Sequence, residues 1–253
     1  MDKFTILQNH FGYSAFRDGQ GQLIDAILAG RDVFGIMPTG GGKSLCYQIP
    51  ALLLPGLSFV ISPLISLMQD QVAALKEAGI PAAYVNSSLS AEQIRIVFSN
   101  IRAGKYKIVY VAPERLETES FLRLAEALSI DLLAVDEAHC ISQWGQDFRP
   151  SYLKILSFIQ RLPRRPVVAA FTATATEEVR RDVVRILELH DPLCIVTGFD
   201  RPNLRWIMLQ PPKKTPALLR LLREQKGQSG IIYCATRKNV EKVCDELCAQ
   251  GYP

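Results

Sequence analysis

Met37-Pro38-Thr39-Gly40-Gly41-Gly42-Lys43-Ser44 is the stretch on which the fold turns. An apolar run, Val33–Met37, leads into it, and a helical pattern, Lys43–Leu53, leads out. Strand, glycine-rich turn and helix in that order is the setting a phosphate-binding loop requires. Gly40, Gly41 and Gly42, with Thr39 before them, let the backbone curl until its N–H groups converge on phosphate oxygens. The helix start at Lys43 adds its partial positive charge. Lys43 can reach a β- and γ-phosphate as a mobile charge, and the Ser44 hydroxyl can ligate Mg²⁺. One residue departs from the usual pattern, which places glycine where Met37 stands.

Working outward, short apolar runs alternate with helical patterns. Strands are expected at Val33–Met37, Ser58–Ser62, Ala82–Val85, Lys107–Ala112, Leu132–Asp136, Val167–Thr172, Leu193–Thr197 and Gly230–Cys234. Most are continuously apolar, the mark of strands covered on both faces in a parallel sheet. Helices are expected at Gly19–Ala29, Lys43–Leu53, Leu64–Ala78, Ala91–Ala103, Phe121–Leu128, Tyr152–Arg161 and Glu177–Leu187. Ser90 and Thr176 suit N-caps, and Gly56, Gly79 and Gly104 suit helix ends. The repeated β-α order predicts an α/β fold with a mostly parallel, doubly wound sheet.

The rhythm breaks near Gly198–Pro216, a stretch with four prolines, and then resumes with a helix, the strand Gly230–Cys234 and a helix over Thr236–Gln250. The expected organisation is a first domain over 1–197, a linker over 198–216 and the truncated start of a second domain over 217–253. Residues 1–200 carry 19 Lys+Arg and 21 Asp+Glu, a net of −2, whereas 201–253 carry 10 and 4, a net of +6. That surplus fits either a nucleic-acid-facing surface or a solvated basic face. The longest apolar runs are far too short to span a bilayer, and the N-terminus lacks a leader's apolar core. No membrane association and a cytoplasmic setting follow as expectations. The six cysteines form no C-x-x-C pair, so zinc is not expected.

A second constellation follows an apolar strand. Leu132-Leu133-Ala134-Val135 ends in Asp136-Glu137-Ala138-His139. In an open parallel sheet the C-terminal strand ends line the ligand crevice. Asp136 there suits Mg²⁺, and Glu137 suits polarising the water that attacks a γ-phosphate. His139 is close enough to relay the phosphate state to its surroundings.

With both motifs quoted, the chain resembles superfamily 2 helicases, and further segments resemble the RecQ branch. Phe11-Gly12-Tyr13 with Phe16-Arg17 and Gly19-Gln20 is similar to the adenine-recognition segment of that family. Tyr13 or Arg17 can stack on adenine, and Gln20 can pair with its edge. Cys140 to Pro150 resembles the family's aromatic-rich loop. Its Trp144, Phe148 and Arg149 can stack on single-stranded bases and touch backbone phosphate. Ser62-Pro63-Leu64 and Ala112-Pro113-Glu114-Arg115 look like strand-tracking motifs. Phe171-Thr172-Ala173-Thr174 looks like the segment that couples hydrolysis to movement, and Gly230–Cys234 like the first motif of a second motor domain.

The resemblance runs from about Phe11 to Gln250 with the motifs in the family's order. It implies a RecA-like P-loop NTPase domain, ATP and Mg²⁺ as ligands, and DNA, single-stranded or partly duplex, as partner. It implies an ATP-dependent helicase of 3′–5′ polarity whose remaining motor domain is supplied in cis, with little unwinding by this stretch alone. The alternative is a nucleotide-dependent nucleic-acid-binding module without motor activity.

Overall fold

The computed structural model describes residues 2–145, 147–198 and 204–252. Gln146 of the aromatic-rich loop and residues 199–203 of the expected linker, with Pro202, lie outside the described residues, as do Met1 and Pro253. Two compact units divide the chain, Met1–Asp200 and Arg201–Pro253.

The first unit runs α1 (Lys3–Phe11), α2 (Gln20–Leu28), β1 (Val33–Ile36), α3 (Lys43–Leu53), β2 (Leu57–Ile61), α4 (Ile65–Glu77) and β3 (Ala82–Val85). It continues through α5 (Ala91–Arg102), β4 (Ile108–Val111), α6 (Glu119–Glu126), β5 (Ile130–Val135), α7 (Lys154–Arg161), β6 (Val167–Thr172), α8 (Glu177–Ile186) and β7 (Leu193–Val196). All seven expected strands of this unit form, within two residues of their anticipated ends. The structure adds α1, which begins where Asp2 accepts hydrogen bonds from the Phe4 and Thr5 backbone. The expected helix over Tyr152–Arg161 starts only at Lys154, because Pro150–Leu153 is a 3-10 turn. Ser90 caps α5 in a reciprocal box with Gln93, and Thr176 caps α8.

The sheet order is β3-β4-β2-β5-β6-β1-β7. Every paired neighbour is parallel. The alternation of β side chains explains the continuous apolar runs. Phe34 and Ile36 of β1, Leu133 and Val135 of β5, and Val168 and Ala170 of β6 enter one core. Val33, Leu132, Ala134, Ala169 and Phe171 enter another on the opposite face. A smaller cluster of Ile6, Leu7, Ile24 and Ile49 joins α1 and α2 to α3. Gly35 is required by close approach, since a Cβ there would come within 2.8 Å of the Phe171 ring.

The end of the sheet where the strands begin is tied by buried carboxylates. Asp32, 2% exposed, holds Arg165 through two bonds of 2.6 and 3.1 Å and accepts from the Val168 and His190 backbone at 2.8 Å each. Asp131 accepts from the Gly56 N–H and pairs with Arg164. The opposite end, where the strands finish, is left for the site.

In the second unit, α9 (Lys214–Glu224) and α10 (Arg237–Cys248) form. The strand expected at Gly230–Cys234 does not. An apolar run becomes a strand only by pairing, and the described residues offer this one no partner. Trp206 and Tyr233 are 93% and 90% exposed.

Candidate nucleotide and nucleic-acid site

The loop after β1 takes the curl its glycines allow. Gly40 and Gly42 have φ of 77° and 83°. A Cβ on Gly41 would sit 2.8 Å from the Pro38 carbonyl oxygen, and one on Gly42 would overlap the Gln20 amide. Met37 has no positive φ and is 1% exposed, packed in the core with the Cys46 sulfur 3.9 Å from its own. The departure at this position therefore places a core anchor where no glycine geometry is needed. Lys43 Nζ donates to the Met37 carbonyl at 3.2 Å, folded back along the loop that would hold phosphate.

Because β6 lies between β1 and β5, the loop and the carboxylates face each other across one strand. Asp136 follows β5 and is 7% exposed. Burial first, and then the neighbouring Glu137, push its carboxyl up to about 6. Glu137 adopts φ 48°, a left-handed conformation that costs a side-chain-bearing residue energy and is met most often at functional sites. The His139 hydrogen bond holds the Glu137 carboxyl below its ordinary range. The Cys140 sulfur, 3.9 Å from Nε2, and the Glu137 carboxylate, 3.3 Å from Nδ1, raise His139 to about 10. The charged ring donates from Nδ1 to Thr172 Oγ1 at 2.8 Å, and that hydroxyl donates to the Thr174 carbonyl at 3.1 Å. Carboxylate, imidazole and two threonines thus form a continuous line from β5 to the turn after β6. Tyr152, expected from the sequence only as a helix start, donates to the Asp136 carbonyl at 2.9 Å.

Lys43, Ser44, Asp136 and Glu137 line one cleft of about 470 Å³ together with Tyr13, Arg17 and Gln20. Tyr13 is half exposed. The Arg17 guanidinium donates to the Gly40 carbonyl. Gln20 is 1% exposed, accepts from the Arg17 N–H at 2.8 Å and donates to the Gly42 carbonyl at 3.0 Å. Its amide faces the loop in this conformation, so pairing with a base requires it to turn. Oxygen donors Ser44 and Asp136 in the same cleft are the ligand chemistry Mg²⁺ takes, and the tight glycine loop beside them fits a triphosphate.

The aromatic-rich loop leaves directly from this site. Trp144 is 76% exposed and Phe148 is half-buried. Arg149 donates to the Pro63 carbonyl at 2.9 Å and pairs with Asp147 at 2.8 Å, so its guanidinium ties the loop to the segment after β2. Ser142 donates to Asp182 of α8 at 2.7 Å. Pro63 is half-buried, but Ser62 is 1% exposed and its hydroxyl has no partner among the described residues, so it does not present itself to a strand at the surface. The Asp147, Ser142 and Asp182 ties escaped the sequence, because each partner is distant in the chain or ordinary in type.

An open parallel sheet with a glycine loop and paired carboxylates at its strand ends is the arrangement of a P-loop nucleotide-binding domain. The DEAD/DEAH box helicase family model matches residues 17–182. The chain belongs to the DEAD/DEAH box helicase family. It is 46% identical over 246 residues to the ATP-dependent DNA helicase RecQ of Pasteurella multocida, covering 97% of this chain and 39% of that protein. It is 45% identical over 244 residues to RecQ of Bacillus subtilis, covering 96% and 41%. The chain thus spans about two fifths of the length of these relatives. Among solved structures, the DUF1998 helicase MrfA superposes with a TM-score of 0.73 at 18% identity, over 98% of this chain and 40% of that one. A hypothetical ATP-dependent RNA helicase from Sulfolobus tokodaii superposes with a TM-score of 0.59 at 22% identity, over 76% and 56%. Both share the fold. Among the described residues, no helix is long and apolar enough to cross a membrane.

Proposed function

We propose that this chain is the ATP-binding motor portion of a RecQ-type DNA helicase. It binds ATP with Mg²⁺ in the cleft and couples that site to single-stranded or partly duplex DNA. In this reading residues 1–197 form the first RecA-like domain, 198–216 the connection, and 217–253 the opening of a second. Thr39 to Ser44 cradle the phosphates, Ser44 and Asp136 hold the metal, which would supply Lewis-acid charge, and Tyr13, Arg17 and Gln20 receive the base. Glu137, kept ionised by His139, orients and deprotonates the attacking water. Trp144 and Phe148 stack on bases, while Pro63 and Arg149 shape the strand path and the buried Ser62 does not meet the strand. The six free cysteines fit a cytoplasmic, reducing setting.

The observation that carries the reading is the anchoring of the aromatic-rich loop. One end continues from Glu137 and His139, and Arg149 fastens the other to Pro63. A change at the phosphates therefore reaches an exposed tryptophan through few bonds. The test is the ATPase rate with and without single-stranded DNA, beside Lys43→Ala. The expected result is a Lys43-dependent rate that DNA raises; the variant should lose about 10- to 100-fold in triphosphate affinity, the worth of a charge-assisted contact. Nucleotide-dependent DNA affinity without any strand separation in the full-length protein would favour a binding module instead.

A further inference from the structure

The chain leaves β5 through a 3-10 turn, Ala138–Ile141, that ends against a buried serine with no part in the chemistry above. Ser142 is fully buried, and its hydroxyl has a partner on each side. It donates to Asp182 Oδ2 on α8 at 2.7 Å and accepts from the Trp144 N–H at 3.2 Å. The other Asp182 oxygen, Oδ1, takes Arg185 Nη2 at 2.7 Å. The Ser142 hydrogen bond, and then that of Arg185, hold the Asp182 carboxyl below its ordinary range. Val179 and Val183 of α8 are buried in the same core as Ala138, Cys140 and Ile141 of the turn. The carboxylate is thus offered to Ser142 by a helix that shares a core with the turn.

Trp144 stands 76% exposed. An exposed indole gains free energy by folding onto neighbouring apolar surface, and a slack turn would let it do so. This turn is not slack. The Gly145 N–H donates to the Ser142 carbonyl at 3.0 Å, and a Cβ on Gly145 would fall 2.5 Å from the His139 carbonyl oxygen. The Trp144 N–H is held by the Ser142 oxygen, and Asp182 fixes which way that oxygen faces. A hydroxyl that donates to a carboxylate spends its proton there and leaves its lone pairs for a second donor. The bond to the carboxylate is charge-assisted and the stronger of the two. Alanine at 142 and valine at 182 would pack without desolvating a hydroxyl and a carboxylate. Burial alone therefore does not account for the pair.

We propose that Asp182 is a positioning residue which, through Ser142, holds Trp144 presented to single-stranded bases. This rests on the reading of Trp144 as a stacking residue. The pair fastens the near end of the aromatic-rich loop, as Arg149 at Pro63 fastens the far end. Without it a base must order the turn before it can stack, and affinity falls by the cost of that ordering. Neither Ser142 nor Asp182 lines the nucleotide cleft, so the cleft keeps its ligand.

The two tryptophans of the protein are Trp144 and Trp206. The full 253-residue chain carrying Trp206→Phe therefore reports on Trp144 alone. Three quantities are read: the fluorescence anisotropy of Trp144 without DNA, the quenching of its emission by oligothymidylate, and the affinity for a non-hydrolysable ATP analogue with Mg²⁺. Asp182→Ala should lower the anisotropy and raise the Kd for oligothymidylate about 5- to 30-fold, the worth of one hydrogen bond. Its affinity for the analogue should not change. Ser142→Ala should behave alike, and the double variant should be no worse than Ser142→Ala alone. Asp182→Asn keeps an acceptor but not the charge, and should restore most of the anisotropy and the DNA affinity. An Asp182→Ala protein with the parent's anisotropy and DNA affinity would overturn the proposal. So would an asparagine variant as weak as alanine, which would make charge the cause, or an equal loss of analogue affinity, which would make it general damage. Emission that oligothymidylate leaves unchanged in the parent would take down the stacking reading, and this proposal with it.

Discussion

Asp136 sits 7% exposed at the end of β5, with the Glu137 carboxylate as its neighbour in the chain. Its carboxyl is raised from 3.8 to about 6. Between those values the folded protein keeps a proton that the unfolded chain has released, so stability falls as pH rises through that window. Above pH 6 the deficit is full, about 3 kcal/mol. Asp136→Asn is therefore expected to stabilise the ligand-free protein by up to about 3 kcal/mol at pH 7.5, and to change little below pH 4. Urea unfolding at the two pH values measures it; no gain at pH 7.5 would contradict the account. The same variant should lose the Mg²⁺ dependence of nucleotide binding. Glu137 belongs to the opposite case, since its carboxyl is held low and ionised by His139. Glu137→Gln should keep nucleotide affinity and lower hydrolysis by about 10²–10⁴, the usual contribution of a general base, as single-turnover kinetics would report.

At the scale of elements, the sheet is held at its far end by Asp32, which joins the start of β1 to β6 and to the turn before β7. Asp32→Ala would leave the Arg165 guanidinium and two backbone N–H groups without their acceptor. The expected cost is about 3–5 kcal/mol, that of breaking a buried pair by removing one side, read as a lower urea midpoint at an unchanged slope. This contact shows why the sequence reveals some of the protein and hides the rest. Lys43 and Asp136 stand in local strings whose strand context can be read from a few neighbours. Asp32 and Arg165 are 133 residues apart, and nothing local distinguishes either. Six of the seven strands of the first unit were legible because burial on both faces writes itself as an uninterrupted apolar run; β7, at the sheet edge, is apolar in sequence yet alternates half-buried and exposed residues. Gly230–Cys234 has the same look, yet pairing decides strand formation and lies outside the run. Gln20 could be singled out in the sequence as a candidate, but its hold on Gly42 could not be read there, since side-chain orientation depends on what folds against it.

On the scale of the whole molecule, Trp144, the proposed stacking residue, and the surplus of cations fall in different units. The first unit carries a net of −2 over residues 1–200 and holds Trp144, 76% exposed; residues 201–253 carry +6. If both meet a single strand, they do so by different physics. Stacking on an aromatic ring contributes about 1–3 kcal/mol per base and does not depend on releasing counterions. Neutralising phosphates releases them, so affinity falls with salt at a slope set by the number of contacts. Trp144→Ala should therefore weaken oligonucleotide binding by about 5- to 100-fold and leave the salt slope unchanged. Charge removal in the second unit, as in Lys213→Ala with Lys214→Ala, should flatten the slope by about one to two. Fluorescence anisotropy of a labelled oligonucleotide between 50 and 200 mM salt, roughly the range over which such contacts are lost, separates the two. A Trp144 variant that flattens the slope would mean the ring only positions cations. A lysine pair without effect would make the basic surplus a solvated face, leaving the strand to the first unit alone.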